Sequence, residues 1–378
     1  MAAHSSGKEE KIRNFDPDGP GNTEAGIFGL PFTIQESDVV IIPVPWEVTV
    51  SNFEGTSQGP ANILDASRQI DLFDDLQRGL DNLTNAQTKH PPAQWEQKQN
   101  LSDPWKAGIA MEEIPGDVLQ KNNQLRPLAL EYIMGRESRS RYKKISHPET
   151  IKNKINEACQ QLTSDIQEKC AAYLQQNKLP VILGGDHSTP LGLLRALTRQ
   201  FNNFGVLQID AHADLRPAYE GFTYSHASIM YNAMAIEQIS KFVQVGLRDI
   251  CSGEYELIRN NPKRMTPYFA REIHNRGFAG ECWQSICREI VNQLPELVYI
   301  SFDIDGLDPA YCPSTGTPVP GGLSYNGVLY LLEELVRSGR KIIAFDLVET
   351  GPQTLDAIVA CRLLYKISAL MLHSNHKI

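Results

Sequence analysis

Histidine and aspartate side chains recur in three short motifs of this 378-residue sequence. The motifs are Gly-Gly-Asp-His-Ser at 184–188, Asp-Ala-His-Ala-Asp at 210–214 and Ser-Phe-Asp-Ile-Asp-Gly-Leu-Asp-Pro at 301–309. Alternate residues of an extended segment point the same way, so the histidine and aspartates of each motif can share one side. The spacing therefore predicts two or three convergent ligand groups rather than isolated polar residues.

Mixed carboxylate and imidazole donors favour Mn²⁺ and similar divalent ions. Six such donors are too many for one tetrahedral zinc, and carboxylates can bridge two ions. We therefore predict two divalent ions about 3.5 Å apart, as in other two-metal sites. The candidate ligands are His187, Asp210, His212, Asp214, Asp303 and Asp305.

Each motif alone also fits an ordinary structural role. The first can be a turn before a helix, and the other two can be solvated strand ends. Together they make that explanation poor, because five clustered carboxylates, Asp186 included, would each cost several kcal/mol to bury without cations.

Predicted strands immediately precede the three motifs. Strands and helices alternate from about residue 148, which predicts an α/β fold: a three-layer α/β/α arrangement with a central, mostly parallel sheet. Ligand sites in such sheets lie outside the carboxyl ends of the strands, so the motifs should meet at one edge. The predicted strands are 39–44, 180–184, 204–210, 242–246, 297–303 and 341–348, and the helices are 148–176, 190–201, 283–293, 325–338 and 354–369.

Two regions depart from this alternation. Residues 1–29 are polar, and we expect a flexible N-terminal tail. Residues 30–378 are expected to form a single domain with a polar insertion at about 77–148. Such a long stretch is unusual as a bare loop, so it is either functional or partly disordered, with a short strand or helix near 111–130.

Composition narrows the classes of function. A net charge of −9 argues against nucleic acid as a partner, and no apolar run is long enough to span a bilayer. The N-terminus has no apolar segment typical of a secretory signal. Seven cysteines without a Cys-x-x-Cys pair indicate a reducing, cytoplasmic location.

The three motifs in combination resemble those of the ureohydrolase family, which contains arginase and agmatinase, over roughly residues 39–369. The resemblance implies an arginase-like fold and hydrolysis of a guanidino compound to urea and an amine, by attack of a hydroxide that bridges two metal ions. It implies Mn²⁺, with Ni²⁺ or Co²⁺ as alternatives, and a homo-oligomer, either trimer or hexamer. By position, Asp210 and Asp303 would bridge both ions, with His187 and Asp214 on one and His212 and Asp305 on the other.

Three further residues take roles from the same resemblance. His226 would be the proton shuttle, and Glu349 would receive the guanidinium through parallel hydrogen bonds. Thr317 would hydrogen-bond the substrate. His226 could instead be a histidine whose hydrogen bonds are satisfied in the core, and Glu349 could be a solvated carboxylate at a strand end. The sequence departs from the family after Glu349, where it has Thr-Gly-Pro instead of Val-Asn-Pro.

The loop at 215–226 resembles the agmatinase version, which predicts agmatine as substrate, with Glu220 near its distal ammonium. Glu220 could equally be a surface carboxylate. Arg216 could pair with Asp214 or Glu220, or with the carboxylate of a different substrate. The alternative substrates are therefore arginine, another guanidino acid or guanidine itself. In a different class, the alternative is a non-catalytic metal-binding homologue. Deacetylases share this sheet architecture but have different motifs and one zinc.

Overall fold

The computed structural model describes residues 2–19, 21–22, 25–73, 103–137 and 147–378. Within these ranges the strands form one sheet in which all neighbouring pairs are parallel. The strands are β1 Val39–Val44, β2 Ile109–Met111, β3 Leu179–Gly184, β4 Phe204–Ile209, β5 Ile239–Leu247, β6 Met265–Phe269, β7 Leu297–Asp303 and β8 Lys341–Val348. Their order across the sheet is β2-β1-β3-β8-β7-β4-β5-β6.

Helices cover both faces of the sheet. Alternate side chains of β1 enter two separate cores, with Val39 and Ile41 in one and Val40 and Ile42 in the other. Burial on both faces explains why the strands are continuous apolar runs. The predicted α/β/α architecture with a parallel sheet is confirmed. The helices are α1 Ala2–Asn14, α2 Gly59–Ser67, α3 Gly116–Glu137, α4 Pro148–Gln175, α5 Leu191–Leu197, α6 Ile229–Ala233, α7 Ser252–Asn260, α8 Ala270–Phe278, α9 Trp283–Asn292, α10 Tyr325–Arg337 and α11 Thr354–Ser374.

The N-terminal segment differs from the flexible tail expected for residues 1–29. It begins with α1 and continues to Phe15, whose ring lies 5.0 Å from that of Trp105. Ile27 and Phe28 are fully or almost fully buried in the core. The few apolar side chains of residues 1–29 are too widely spaced to predict a folded segment from the sequence. They pack against the core and the distant segment around Trp105.

The region expected to be a polar insertion contains both a short strand and a helix, where a short strand or helix was expected near 111–130. Residues 77–102 and 138–146 of it lie outside the described residues. The remainder includes β2, which pairs with β1 at the edge of the sheet, and α3, which packs against α4. A three-residue strand has no measurable periodicity, and its pairing with β1 is not local. The edge strand β6 also escaped prediction, because it contains Pro267, which only edge positions tolerate.

Five adjacent strands in the middle of the sheet, β3, β8, β7, β4 and β5, point their carboxyl ends to the same edge. The three motifs follow β3, β4 and β7 there. None of the described helices is both long and apolar enough for a membrane span.

Candidate active site

The three motifs converge at the carboxyl edge of the sheet, as their positions after strands predicted. His187 Nδ1 lies 3.1 Å from Asp210 Oδ2, 2.9 Å from Asp214 Oδ2 and 3.3 Å from Asp303 Oδ2. These residues come from the loops after β3 and β4 and from the last position of β7. The parallel sheet thus brings together side chains that are more than 100 residues apart.

A second group of side chains lies beside the first. His212 Nδ1 is 3.1 Å from Asp305 Oδ2 and 3.6 Å from Asp210 Oδ1. The two oxygens of Asp210 therefore face different histidines. Both groups have the donor types and spacing to hold a cation, and Asp210 is common to both.

The His187 imidazole shows that this donor set fits divalent cations. Its Nε2 lies 2.9 Å from Ser301 Oγ, which favours the tautomer with the proton on Nε2. Its buried Nδ1 makes no hydrogen bond to any described residue, although three carboxylate oxygens surround it. Three carboxylate oxygens around one imidazole nitrogen require positive charge there, supplied either by a proton on the imidazole or by a bound cation.

The pKa shifts of Asp303 and Asp214 reflect their burial and the closeness of other carboxylates. Burial raises the pKa of Asp303 well above its usual range, and the charges of Asp305 and Asp210 add to it. Burial, followed by Asp210, raises the pKa of Asp214 to about 7. Asp210 differs: burial raises its pKa, but His187 and His212 together lower it below its usual range. Cations would favour the ionised form of all these crowded carboxylates.

Backbone amides fix the orientation of the carboxylates. Asp210 Oδ1 accepts a hydrogen bond from the His212 N–H at 2.6 Å, and Asp303 Oδ1 accepts one from the Asp305 N–H at 2.9 Å. Gln208 Nε2 donates to Asp210 Oδ2 at 2.7 Å. These bonds preorganise the cluster before any ion is bound, and they leave its other oxygens free to converge.

The cluster forms the floor of an open cleft of about 140 Å³. Its lining is acidic, since it includes five carboxylates and one guanidinium. Such a cleft attracts cations. The lining residues are Ser51, His187, His212, Asp214, Arg216, Tyr219, His226, Ala227, Asp249, Glu254, Asp303, Thr317 and Glu349.

His226 lies in the wall of this cleft. Its Nδ1 is 3.3 Å from Ser225 Oγ, and its ring meets that of Tyr219 edge-on at 5.7 Å. Burial and the positive charges of His212 and His187 lower its pKa to about 3. A neutral imidazole in this place can accept a proton and release it to a reacting group.

Glu349 follows β8 and is buried at the end of the cleft. Its Oε1 accepts the His187 N–H at 2.9 Å, so one oxygen is already engaged. Its Oε2 faces Gly316, where an added Cβ would lie only 3.2 Å away. Glu349 has φ of 61°, a strained conformation that is typical of functional positions. Burial and the Asp186 charge raise its pKa well above the usual range.

The remaining predicted residues lie around the cleft. Thr317 donates from Oγ1 to Asp305 Oδ2 at 3.3 Å. Among the described residues, the lining includes Tyr219 but does not include Glu220. Glu220 and Gly221 both have positive φ, at 52° and 90°, in a tight turn that pairs Tyr219 with Phe222. Because this turn reverses the chain between Tyr219 and Phe222, neighbouring side chains within it point in different directions.

Arg216 has a partner that the sequence did not suggest. Its guanidinium lies 4.8 Å above the Tyr219 ring, and its Nε is 3.8 Å from Glu254 Oε2. Glu254 is buried and accepts the N–H groups of Leu215 and Cys251 at 3.0 Å each. Arg216 is thus close to Glu254, rather than to Asp214 or Glu220 as anticipated.

Sequence reasoning missed three lining residues: Ser51, Asp249 and Glu254. Asp249 could have been found, because it directly follows β5 and the strand-end rule applies to it as well. Glu254 lies in the first turn of α7, where its side chain caps the helix. Ser51 lies in the loop between β1 and α2, which contains no ionisable pattern that leads to the cleft.

Known proteins resemble this chain over most of its length. A family model described as "Arginase family" matches residues 37–369. A protein of Thermus thermophilus named N(1)-aminopropylagmatine ureohydrolase is 31% identical over 318 residues, 84% of each chain. The solved structure of proclavaminate amidinohydrolase from Streptomyces clavuligerus has a TM-score of 0.66 at 22% identity, covering 94% of this chain and 100% of that one. Agmatine ureohydrolase of Thermoplasma volcanium has a TM-score of 0.63 at 21% identity, covering 97% and 99%.

Proposed function

The chain belongs to the arginase family of ureohydrolases, and we propose that it hydrolyses a guanidino compound with a cationic tail, such as agmatine, to urea and an amine. The observation that carries this proposal is the pair of histidine–carboxylate groups sharing Asp210 on the floor of an acidic cleft. Agmatine has a guanidinium at one end and an ammonium at the other, and both match the negative charge of the lining.

We propose that the site holds two divalent ions, with Mn²⁺ as the expected metal. Two bound cations would lower the pKa of a solvent water enough to make it a nucleophile at neutral pH. Asp210 and Asp303 are assigned to both ions in this proposal. His187 and Asp214 would complete one ligand set, and His212 and Asp305 the other.

The chain's own residues orient the substrate and transfer a proton. Glu349 Oε2 would accept a guanidinium N–H, while its Oε1 remains bonded to the His187 N–H. His226, in the wall of the cleft, would take up the proton that the attacking water loses and pass it to the amine nitrogen as the carbon–nitrogen bond breaks. Water supplies the oxygen of urea, and the amine leaves with the transferred proton.

The tail of the substrate would lie along the outer carboxylates. Asp249 is exposed and lines the cleft, whereas Glu254 is already bonded to two backbone amides. A substrate α-carboxylate near Asp249 would meet like charge. The Thermus thermophilus relative is named for N(1)-aminopropylagmatine, which makes an aminopropyl derivative of agmatine the second candidate substrate.

The test is urea release from five compounds with added Mn²⁺: agmatine, N(1)-aminopropylagmatine, arginine, 4-guanidinobutyrate and guanidine. We expect kcat/KM to be higher for the two cationic-tail compounds than for the two carboxylates by about 10²-fold or more. Arg216→Ala should leave this preference in place, because Arg216 lies beside Glu254. The proposed substrate class would be overturned if arginine or 4-guanidinobutyrate had the highest kcat/KM and if that preference disappeared in Arg216→Ala.

A further inference from the structure

The segment between β1 and α2 folds into a closed loop at the mouth of the cleft. Glu47 closes it by accepting the Gly55 N–H at 2.6 Å and the Ser57 hydroxyl at 2.8 Å. Ser51, inside this loop, lines the cleft. Residues 52–54 are exposed, and the side chain of Phe53 is 58% exposed. The tip of the loop is therefore open to solvent, while Ser51 within the loop faces the cleft.

Arg126 of α3 holds this loop from behind. Its side chain is buried, and its Nη1 donates to the Val48 carbonyl at 3.2 Å and to the Val50 carbonyl. Its Nε donates to Glu54 Oε1 at 3.2 Å. One guanidinium thus ties three points on both sides of Ser51. A planar group with five fixed donors is suited to such a task.

A second residue of the same helix supports the clamp. Asn122 lies one turn before Arg126, and its Oδ1 accepts the Glu47 N–H at 2.8 Å. At the tip, the Phe53 N–H donates to the Gly316 carbonyl at 3.4 Å. Gly316 lies beside Glu349, since a Cβ added to it would be 3.2 Å from Glu349 Oε2. The loop is therefore fixed between α3 and the end of the cleft where Glu349 lies.

We propose that Arg126 is a positioning residue: it holds residues 48–54 as the wall against which the substrate lies beyond its guanidinium. This inference rests on the proposed function. Arg126 acts through the loop and does not itself line the cleft. Loss of the Arg126 contacts should therefore raise KM, and the increase should be larger for a longer substrate.

The test compares Arg126→Lys with a matched control, Arg264→Lys. Lysine keeps the charge but cannot reproduce the fork of donors. Arg264 also donates to three backbone carbonyls, those of Met234, Ile236 and Ile239, at 2.7–2.9 Å. It lies just before β6, at the amino edge of the sheet and opposite the cleft. Both variants lose hydrogen bonds to backbone carbonyls, but only Arg126 makes these bonds to the loop at residues 48–54.

We expect Arg126→Lys to raise KM for agmatine while kcat changes less than about threefold and metal content stays constant. The loss in kcat/KM should be on the order of 10²-fold for agmatine, since misplacement by about 1 Å can cost that much, and much smaller for guanidine, which has no tail. Hydrogen exchange of residues 46–58 should become faster in this variant. Arg264→Lys should change neither the loop exchange nor the ratio between the two substrates.

Equal losses for agmatine and guanidine, or unchanged exchange in residues 46–58, would overturn the role of Arg126. Failure of the proposed function is distinguishable, because the wild-type protein would then release no urea from any tailed guanidine. In that case the exchange experiment still decides whether Arg126 holds the loop. Unchanged exchange overturns the clamp, and faster exchange confined to Arg126→Lys supports it.

Discussion

Two regions of the molecule build the same cleft in different ways. The loops after β3, β4 and β7 supply ionisable side chains, each placed within five residues of a strand end. The segment from β1 to α3 supplies none of the candidate ligands and shapes the cleft through backbone contacts, such as those of Arg126. Each ionisable side chain is thus placed by the end of its own strand, whereas the shape of the cleft depends on contacts between residues about 75 positions apart.

The electrostatics of the two regions also differ. In the motif loops like charges are crowded together, and Asp214 and Glu349 have strained φ values of 53° and 61°. In the other region the charges are paired, as in Arg126 with Glu54 at 3.1 Å. Bound cations would relieve the crowding of like charge in the motif region, whereas in the other region Arg126 already pairs with a carboxylate.

Removal of Asp210 should have the largest effect, because its two oxygens face both histidines. We expect Asp210→Ala to lower kcat/KM by several orders of magnitude, roughly 10³-fold or more, together with metal content. Elemental analysis should give two divalent ions per wild-type chain and fewer in the variant. One ion or none in the fully loaded wild-type protein would contradict the two-ion proposal.

A matched control comes from the same motif region. Asp308 accepts backbone N–H groups of Ala310 and Gly321 at 3.1 Å each and lies outside both candidate ligand groups. Asp308→Asn should keep both ions and most of the activity. Loss of metal in this variant would mean that any carboxylate change in the loop disrupts the site.

His226→Ala should have a smaller effect and a different signature. The imidazole lies in the wall of the cleft and is not part of either ligand group. We expect kcat to fall by roughly 10²-fold, the usual size of general acid–base assistance, while metal content is unchanged. If His226→Ala emptied the site, the residue would be a ligand and the proton-transfer assignment would fail.

The sequence predicted the motif region well because each motif follows a continuous apolar strand. The strands at 297–303 and 341–348 have the predicted bounds, and the long helix α4 differs by one residue at its end. Asp210 belongs to both groups of histidine and aspartate side chains, and its bridging of two ions, expected from the family resemblance, stays a prediction. Local pattern is enough where strand, turn and ligand are contiguous.

The other region could not be predicted in the same way. Strand β2 has three residues, and its place in the sheet depends on pairing with β1 about 70 residues earlier. Helix α3 contains Pro127 and has weak apolar periodicity, so nothing local indicates that Arg126 is buried. A buried arginine satisfied by distant carbonyls is visible only after the chain has folded.

The smallest predicted effect concerns the N-terminal segment, which we expect to affect stability and not chemistry. Phe15 is partly buried, and its ring contacts Trp105 at 5.0 Å. Phe15→Ala should lower the free energy of unfolding by about 1–2 kcal/mol, from lost burial and the aromatic pair. Chemical denaturation measures this change, and Phe278→Ala is its control, because Phe278 is 85% exposed. Metal content and kcat/KM for agmatine should stay at wild-type values in both variants, because neither Phe15 nor Phe278 lines the cleft. A change in KM for Phe15→Ala would mean that the N-terminal segment also positions the wall of the cleft, and the division between the two regions would no longer hold.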